Sequence, residues 1–223
     1  RILKQVFRAA ETLNTPVSCD YDAHHTVARE AAEQGAVLLK NDDGILPLNT
    51  DTKIAVIGAM AKSIRYQGAG SSMIRPTKVT TPKDAFDAHG VKSVALEESD
   101  TVLIFARLTD EYESEGCDRE NMRMPESHLR LIDSLSESGK KVVVILFGGS
   151  PVELPFFEKV SAVLNMYLPG QNGGTAVARL LFGEANPSGR LAETWPLRYE
   201  DVPGHASFGQ GIDEVYAEGS EVG

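Results

Sequence analysis

"KKVVVILFGG", residues 140–149, sets six apolar side chains in a row between a lysine pair and a glycine pair. The run is rich in β-branched residues, too short for a helix and without polar alternation. It therefore reads as a strand covered on both faces. "KIAVIG" (53–58), "TVLIFA" (101–106) and "AVLNMYL" (162–168) repeat the pattern. Between these runs lie helical periods. Leu129, Leu131, Ile132 and Leu135 line the inner side of 125–138, and Ala176, Val177, Leu180 and Leu181 that of 174–182. "KDAFDAHG" (83–90) is a short helix. Buried strands alternating with amphipathic helices predict an α/β fold, a three-layer αβα sandwich with a mostly parallel sheet. Ligands of such sheets bind beyond the carboxyl ends of the strands.

"VKSVAL" (91–96) also reads as a strand, but only residues 97–100 separate it from "TVLIFA". A parallel crossover needs about a dozen residues. The two are therefore antiparallel neighbours, or "VKSVAL" lies outside the main sheet. Nearer the start, residues 1–12 form an amphipathic helix with Ile2, Leu3, Val6 and Phe7 on one stripe, and no capping residue precedes it. Such a start suggests a chain cut from something larger. Residues 14–22 read as a linker. Asp22 is a candidate cap for a helix over 23–34, with Gly35 as its stop. The apolar start of "AVLLKNDDGILPL" (36–48) suits a short strand, and its "NDDG" a turn. Beyond Pro196 the chain becomes polar and irregular.

Composition excludes several classes. A net charge of -10 repels a phosphate backbone, so nucleic acid is not an expected partner. No apolar run reaches membrane-spanning length, and no membrane partner is expected. The N-terminus lacks the pattern of a secretory signal, which favours a cytoplasmic location for a chain that is not a fragment. Cys19 and Cys117 imply no disulfide framework. The histidines have no metal-ligand spacing, and no metal is expected.

Three stretches are candidates for chemistry. "VIGAMAKSIRYQGAGSS" (56–72) has a strand, a glycine and a later "GAGS", which raises a nucleotide-binding α/β domain as one reading. It matches neither the dinucleotide fingerprint nor the phosphate-binding loop. Ser71, Ser72 and Ser150 follow glycines, but none stands in the elbow of a serine hydrolase. "DEYESEGCDRE" (110–120) packs six carboxylates and one arginine into the end of a strand. A charge run is most often a solvated face. Here, though, Glu115 precedes Gly116, which permits close approach by a ligand. Asp118 brings a carboxylate that accepts hydroxyls, and Arg119 a guanidinium fork. Crowded carboxylates raise one another's pKa, which a general acid requires.

Taken together, four stretches resemble glycoside hydrolase family 3, the β-glucosidase group. "AREAAEQGAVLLKNDDGILPL" (28–48) resembles the entry to that family's second domain. "KIAVIGAMA" with "GAGSS" is similar to its first strand and glycine-serine loop. "ESEGCDRENMRMPESHLRLI" (113–132) resembles its E-G-x-D-R segment. "LPGQNGGTAVARLLFGEANPSGRLAETWP" (168–196) resembles its long P-G-x-x-G-G to N-P-S-G-R-L run. The resemblance implies residues 1–22 as the end of a preceding TIM-type barrel and linker, 23–196 as the αβα sandwich, and 197–223 as a tail leading to a third domain. It implies a retaining β-glycosidase acting on terminal, non-reducing β-D-glucosyl residues of a β-linked glycoside or oligosaccharide. The barrel of the same enzyme would supply the nucleophile, so this chain alone would be inactive. No cofactor is implied.

The resemblance places the acid/base at Glu115, with Glu113 and Glu111 as alternatives in a loop that varies within the family. It gives Gly68, Ala69, Gly70 and Ser71 a substrate-contacting role. Asp118 and Arg119 would shape the loop. The glycines of "GQNGG" would serve tight turns, and Arg190 a pairing role. Residues 97–100 lack the helix usual there in the family. Ser220 and Glu221 stand where apolar residues are typical. A carbohydrate-binding or regulatory module without catalysis is the alternative reading.

Overall fold

A computed structural model describes residues 1–13, 15–49 and 51–213. Five strands form one sheet: β1 (Val37–Asn41), β2 (Ile54–Ile57), β3 (Thr101–Arg107), β4 (Lys141–Phe147) and β5 (Ala162–Asn165), in the order β1-β5-β4-β3-β2. β2, β3, β4 and β5 run parallel, while β1 is antiparallel to β5 at the far edge. The expected fold class is thus the observed one.

Alternation along the strands sorts the core into two halves. Leu103, Phe105, Val143, Ile145 and Leu164 face three helices: α2 (Tyr21–Gly35), α3 (Pro82–Ala88) and α5 (Gly173–Leu181). Val102, Ile104, Val142, Val144 and Val163 face α4 (Glu126–Ser136) and the segment around Val152 and Phe156. α4 contributes Ile132 and Leu135 to that core. The first helix, α1 (Ile2–Leu13), buries none of its residues, and Ile2, Leu3, Val6 and Phe7 are exposed.

Three local expectations are corrected. Asp20, not Asp22, caps α2: its Oδ1 accepts from the N–H groups of Asp22 and Ala23 at 3.1 and 2.9 Å. "VKSVAL" is not a strand. It touches the β2 edge through Val94 N–H to the Ile54 carbonyl, and the Ser93 hydroxyl accepts from Val56 N–H, so a side chain takes the place of a ladder bond. It ends in a 3-10 turn, Leu96–Glu98, and lies outside the sheet. The glycines of "GQNGG" serve close approach more than turning. Only Gly170 has a positive φ, 72°. A Cβ on Gly174 would stand 2.2 Å from the Thr81 carbonyl carbon, and one on Gly173 2.4 Å from Pro169 Cγ.

That run also staples α2 to α5. The Asn172 side chain donates to the His25 carbonyl at 3.0 Å, and Gln171 Nε2 lies 2.9 Å from His25 Nδ1. His25 Nε2 is 3.1 Å from Thr80 Oγ1. Arg190 donates to the carbonyls of Ser188 and Gly189. Ser220, Glu221 and the rest of 214–223, together with Asn14 of the expected linker, lie outside the described residues. Among the described residues no helix is long and apolar enough to cross a membrane.

Candidate active site

Because β2 to β5 are parallel, the loops that follow them open at one end of the sheet. The loop after β2 carries Arg65 and the run from Gly68 to Ser72. The loop after β3 carries the acidic stretch. The turn after β4 is Gly148, Gly149 and Ser150, and the segment after β5 leads through Tyr167 to Leu168.

Two of these loops meet at their tips. Ser114 and Cys117 form an antiparallel bridge, which leaves Glu115 and Gly116 as a two-residue turn. Gly116 takes φ 79°, a conformation that glycine adopts without steric penalty. The turn carries the Glu115 side chain onto the glycine-serine loop, where its Oε2 accepts from Ser71 N–H at 2.5 Å. Gly70 makes the contact possible. A Cβ there would stand 2.5 Å from both Cβ and Oε2 of Glu115. Gln67 closes the loop from behind, accepting from Ile74 N–H and donating to its carbonyl.

Glu113 points the other way, into the protein. Its Oε1 accepts from Gly149 N–H at 2.8 Å and from the Ser150 hydroxyl at 2.9 Å. Its Oε2 pairs with Arg65 Nη2 at 3.2 Å. Arg65 is buried; it also donates to the Glu113 carbonyl at 3.1 Å and pairs through Nη1 with Asp110. Beyond the turn, Arg119 Nη1 donates to Ser150 Oγ at 3.1 Å and to the Pro151 carbonyl at 2.8 Å. Burial holds the Arg119 pKa below its usual value, opposed by the charges of Glu113 and Glu153.

Gly68, Ala69, Ser71, Ser72, Glu113, Ser114, Glu115 and Leu168 line an open cleft of about 310 Å³. The structure thus brings Gly68, Ala69, Ser71, Glu113 and Glu115 together, with Gly70 under Glu115. Glu111 lies exposed in the turn before them and does not line the cleft. Leu168 is the apolar wall. It follows Tyr167, whose φ of 50° is rare for a non-glycine residue. The Tyr167 carbonyl accepts from Gly148 N–H at 3.1 Å, so the segments after β4 and β5 share this wall.

The electrostatics correct one expectation. Crowding does not raise the Glu115 carboxyl pKa. The backbone N–H of Ser71, then its side chain, hold it below the ordinary 4.5, against a smaller opposing effect of burial. The carboxyl is exposed, so solvent screens its like-charged neighbours, while a hydrogen bond donated to the anion favours the anion. The glycine-serine loop therefore already holds an anion of its own chain, and phosphate would meet carboxylates there. This weakens the nucleotide reading. Among the described residues no group of three or more His, Cys, Asp or Glu is arranged to hold a metal.

Sequence reasoning missed Arg65, Gly149 and Leu168. The only signal for Arg65 was a cation just before a glycine loop, in a chain whose next strand ends in six carboxylates. Gly149 and Leu168 enter through tertiary contacts, with no local pattern to reveal them.

The profile of the glycosyl hydrolase family 3 C-terminal domain matches residues 36–223. The thermostable beta-glucosidase B of Acetivibrio thermocellus is 43% identical over 249 residues, covering 100% of this chain and 33% of its own length. An exo-alpha-(1->6)-L-arabinopyranosidase of Bifidobacterium longum is 38% identical, over 88% of this chain and 31% of its own. The crystal structure of a Bifidobacterium adolescentis GH3 beta-glucosidase matches with a TM-score of 0.87 and 37% identity, covering 97% of this chain and 35% of that one. The chain spans about a third of the length of these relatives.

Proposed function

The chain belongs to glycosyl hydrolase family 3 as that family's C-terminal domain, and from this premise we propose that it is the acid/base-bearing domain of a retaining β-glycosidase. The substrate class is a terminal, non-reducing β-D-glucosyl residue. The observation that carries the reading is the cleft at the strand ends, where Glu115 and the glycine-serine loop meet.

In this reading Glu115 protonates the leaving oxygen and then, as base, activates the water that releases the sugar. A nucleophilic carboxylate stands on the other side of the scissile bond, about 5–5.5 Å away. It comes from a preceding barrel domain, of which residues 1–22 are the end and linker, while residues 197–223 lead to a further domain. The exposed stripe of α1 supports that partner, because Ile2, Val6 and Phe7 find no cover among the described residues. Gly68, Ala69, Gly70 and Ser71 contact the sugar or its leaving group, and Leu168 offers an apolar face.

A general acid must be protonated, and in the open cleft Glu115 favours the anion. Covering the cleft with the barrel and substrate removes water and brings a second carboxylate near. Both changes raise a carboxyl pKa. On this reading the barrel supplies both the nucleophile and the cover that favours the protonated form of Glu115.

The test is hydrolysis of an aryl β-D-glucoside by this chain, alone and joined to the barrel. The expected result is no turnover alone, activity with the barrel, and its loss in Glu115→Ala. Turnover by the chain alone would overturn the division of labour. Sugar binding without turnover in the joined protein would point instead to a non-catalytic module.

A further inference from the structure

One buried cation stands behind the turn that carries Glu115. Arg65 is 4% exposed and reaches the acidic loop at two places. Nη1 pairs with Asp110 at the loop's start, and Nη2 donates to the Glu113 carbonyl and stands 3.2 Å from its carboxylate Oε2 as an ion pair. Glu113 stands two residues before Glu115. Its second oxygen is fixed by Gly149 N–H and Ser150 Oγ, and Ser150 in turn accepts from Arg119. Arg65, Glu113, Ser150 and Arg119 form a chain of contacts across the ends of β2, β3 and β4. It grips the acidic loop on both sides of the two-residue turn.

Arg65 belongs to the same segment as the glycine-serine loop that Glu115 touches. A single side chain therefore joins the two loops at their bases, while Glu115 and Ser71 join them at their tips. Stability alone gives a poor reason for an arginine there. Its Nε is buried without a hydrogen-bond partner among the described residues. A buried ion pair is often no more stabilising than apolar residues of similar volume. A planar fork reaching two acceptors fixes geometry, which a lysine does not reproduce.

We propose that Arg65 is the positioning residue for Glu115: acting through Glu113 and Asp110, it sets where the turn stands over Ser71. The catalytic part of the proposal rests on the reading of Glu115 as acid/base, whereas the geometric part does not.

The geometric part is read on this chain alone by following the Ser71 amide through a pH titration by NMR. In the unaltered chain this amide reports Glu115 titrating below the ordinary 4.5. In Arg65→Met the midpoint moves up toward that value and the amplitude shrinks. Arg65→Lys recovers part of both. Asp110→Asn removes one exposed arm together with an anion, so the amplitude shrinks by less than in Arg65→Met while the midpoint does not follow it upward. An unchanged Ser71 titration in a folded Arg65→Met overturns the proposal. Should that variant fail to fold, an unchanged amplitude in Asp110→Asn overturns it instead.

The catalytic part is read in the full-length enzyme. There Arg65→Met lowers kcat roughly 10- to 100-fold, the cost of displacing a reacting group by about 1 Å. KM stays within about a factor of two, and Arg65→Lys restores part of kcat. A rise in KM with kcat unchanged would assign Arg65 to substrate binding and overturn positioning. If Glu115→Ala kept full activity, the acid/base reading would fall, and the Ser71 titration would still decide the geometry.

Discussion

Gly70 and Gly174 both lack room for a Cβ, and different atoms fill that room. At Gly70 the neighbour is the Glu115 side chain; at Gly174 it is the backbone of Thr80 and Thr81, 2.2–2.4 Å from where the carbon would stand. A side chain on a surface turn can shift. The backbone between a sheet crossover and a buried helix cannot without moving both. The first contact sets the position of Glu115, and the second holds α3 against α5. Two glycine-rich motifs of similar appearance thus admit a side chain in one place and backbone in the other.

Substitution can break that contrast. Gly174→Ala should have the largest effect on stability. Helix propensity predicts a gain of about 1 kcal/mol. The structure predicts a loss of about 3 kcal/mol from overpacking against backbone, or roughly 6–12 °C in Tm. A calorimetric Tm equal to or above the parent's would show the contact to be yielding. Gly70→Ala comes next. Its φ of +84° costs an L-residue about 1–2 kcal/mol, but its chief effect should be on Glu115. The turn must move, the Ser71 hydrogen bond is lost, and the Ser71 amide should cease to follow carboxyl titration. An intact titration would mean that Gly70 is not needed for the contact.

The two regions should also answer to different pH ranges. Burial, then Lys78, holds the His25 pKa below the ordinary 6.5, with Asp22 opposing. The unfolded chain therefore binds that proton more readily than the folded one. The contribution of His25 is complete above about pH 6.5 and declines as pH falls from there toward its folded pKa. His128, also lowered mainly by burial, acts in the same direction. The measure is thus a comparison: urea midpoints at pH 7.5 and 5.5 should differ less in His25→Gln than in the parent. Glu115 titrates lower, below 4.5. The smallest effect belongs to Gly68→Ala. Its Cβ would meet only Ser72 Oγ at 3.5 Å and Leu168 Cδ1 at 3.8 Å, ordinary contacts. The change in stability should stay within about 0.5 kcal/mol. A larger melting shift would mean that the whole glycine-serine loop is packed as tightly as the α3–α5 junction.

Much of the architecture was legible because burial on both faces leaves a local mark. β3 and β4 are apolar at nearly every position, and runs so short and rich in β-branched residues favour a strand over a buried helix. Partner choice leaves no such mark. Nothing in "AVLLKN" says that β1 pairs antiparallel with β5. "VKSVAL" has a strand's composition, yet Ser93 supplies a side-chain acceptor where a ladder needs backbone. At the site, the acidic run and "GAGS" announced themselves by composition. Their contact did not, since it depends on how two strand-end loops lean together. Nor could composition tell Glu113, which turns inward to Arg65 and Gly149, from Glu115, which reaches across to Ser71. The expectation that crowding raises some carboxyl pKa values does not extend to Glu115 for the same reason: charge density is visible in a sequence, and a single N–H donor is not.

The strand order carries a consequence in time. Among the described residues, β1 is the first strand of this sheet in chain order and β5, its partner, the last. As the chain leaves the ribosome, β3 can add to β2 and β4 to β3, each beside a strand already made. β1 must wait with an open edge until Asn165 emerges. Such non-local closure is slow, and it leaves an unpaired edge exposed to other chains. The sheet is complete only when β5 is inserted between β4 and β1, so the last strand made joins the first to the rest.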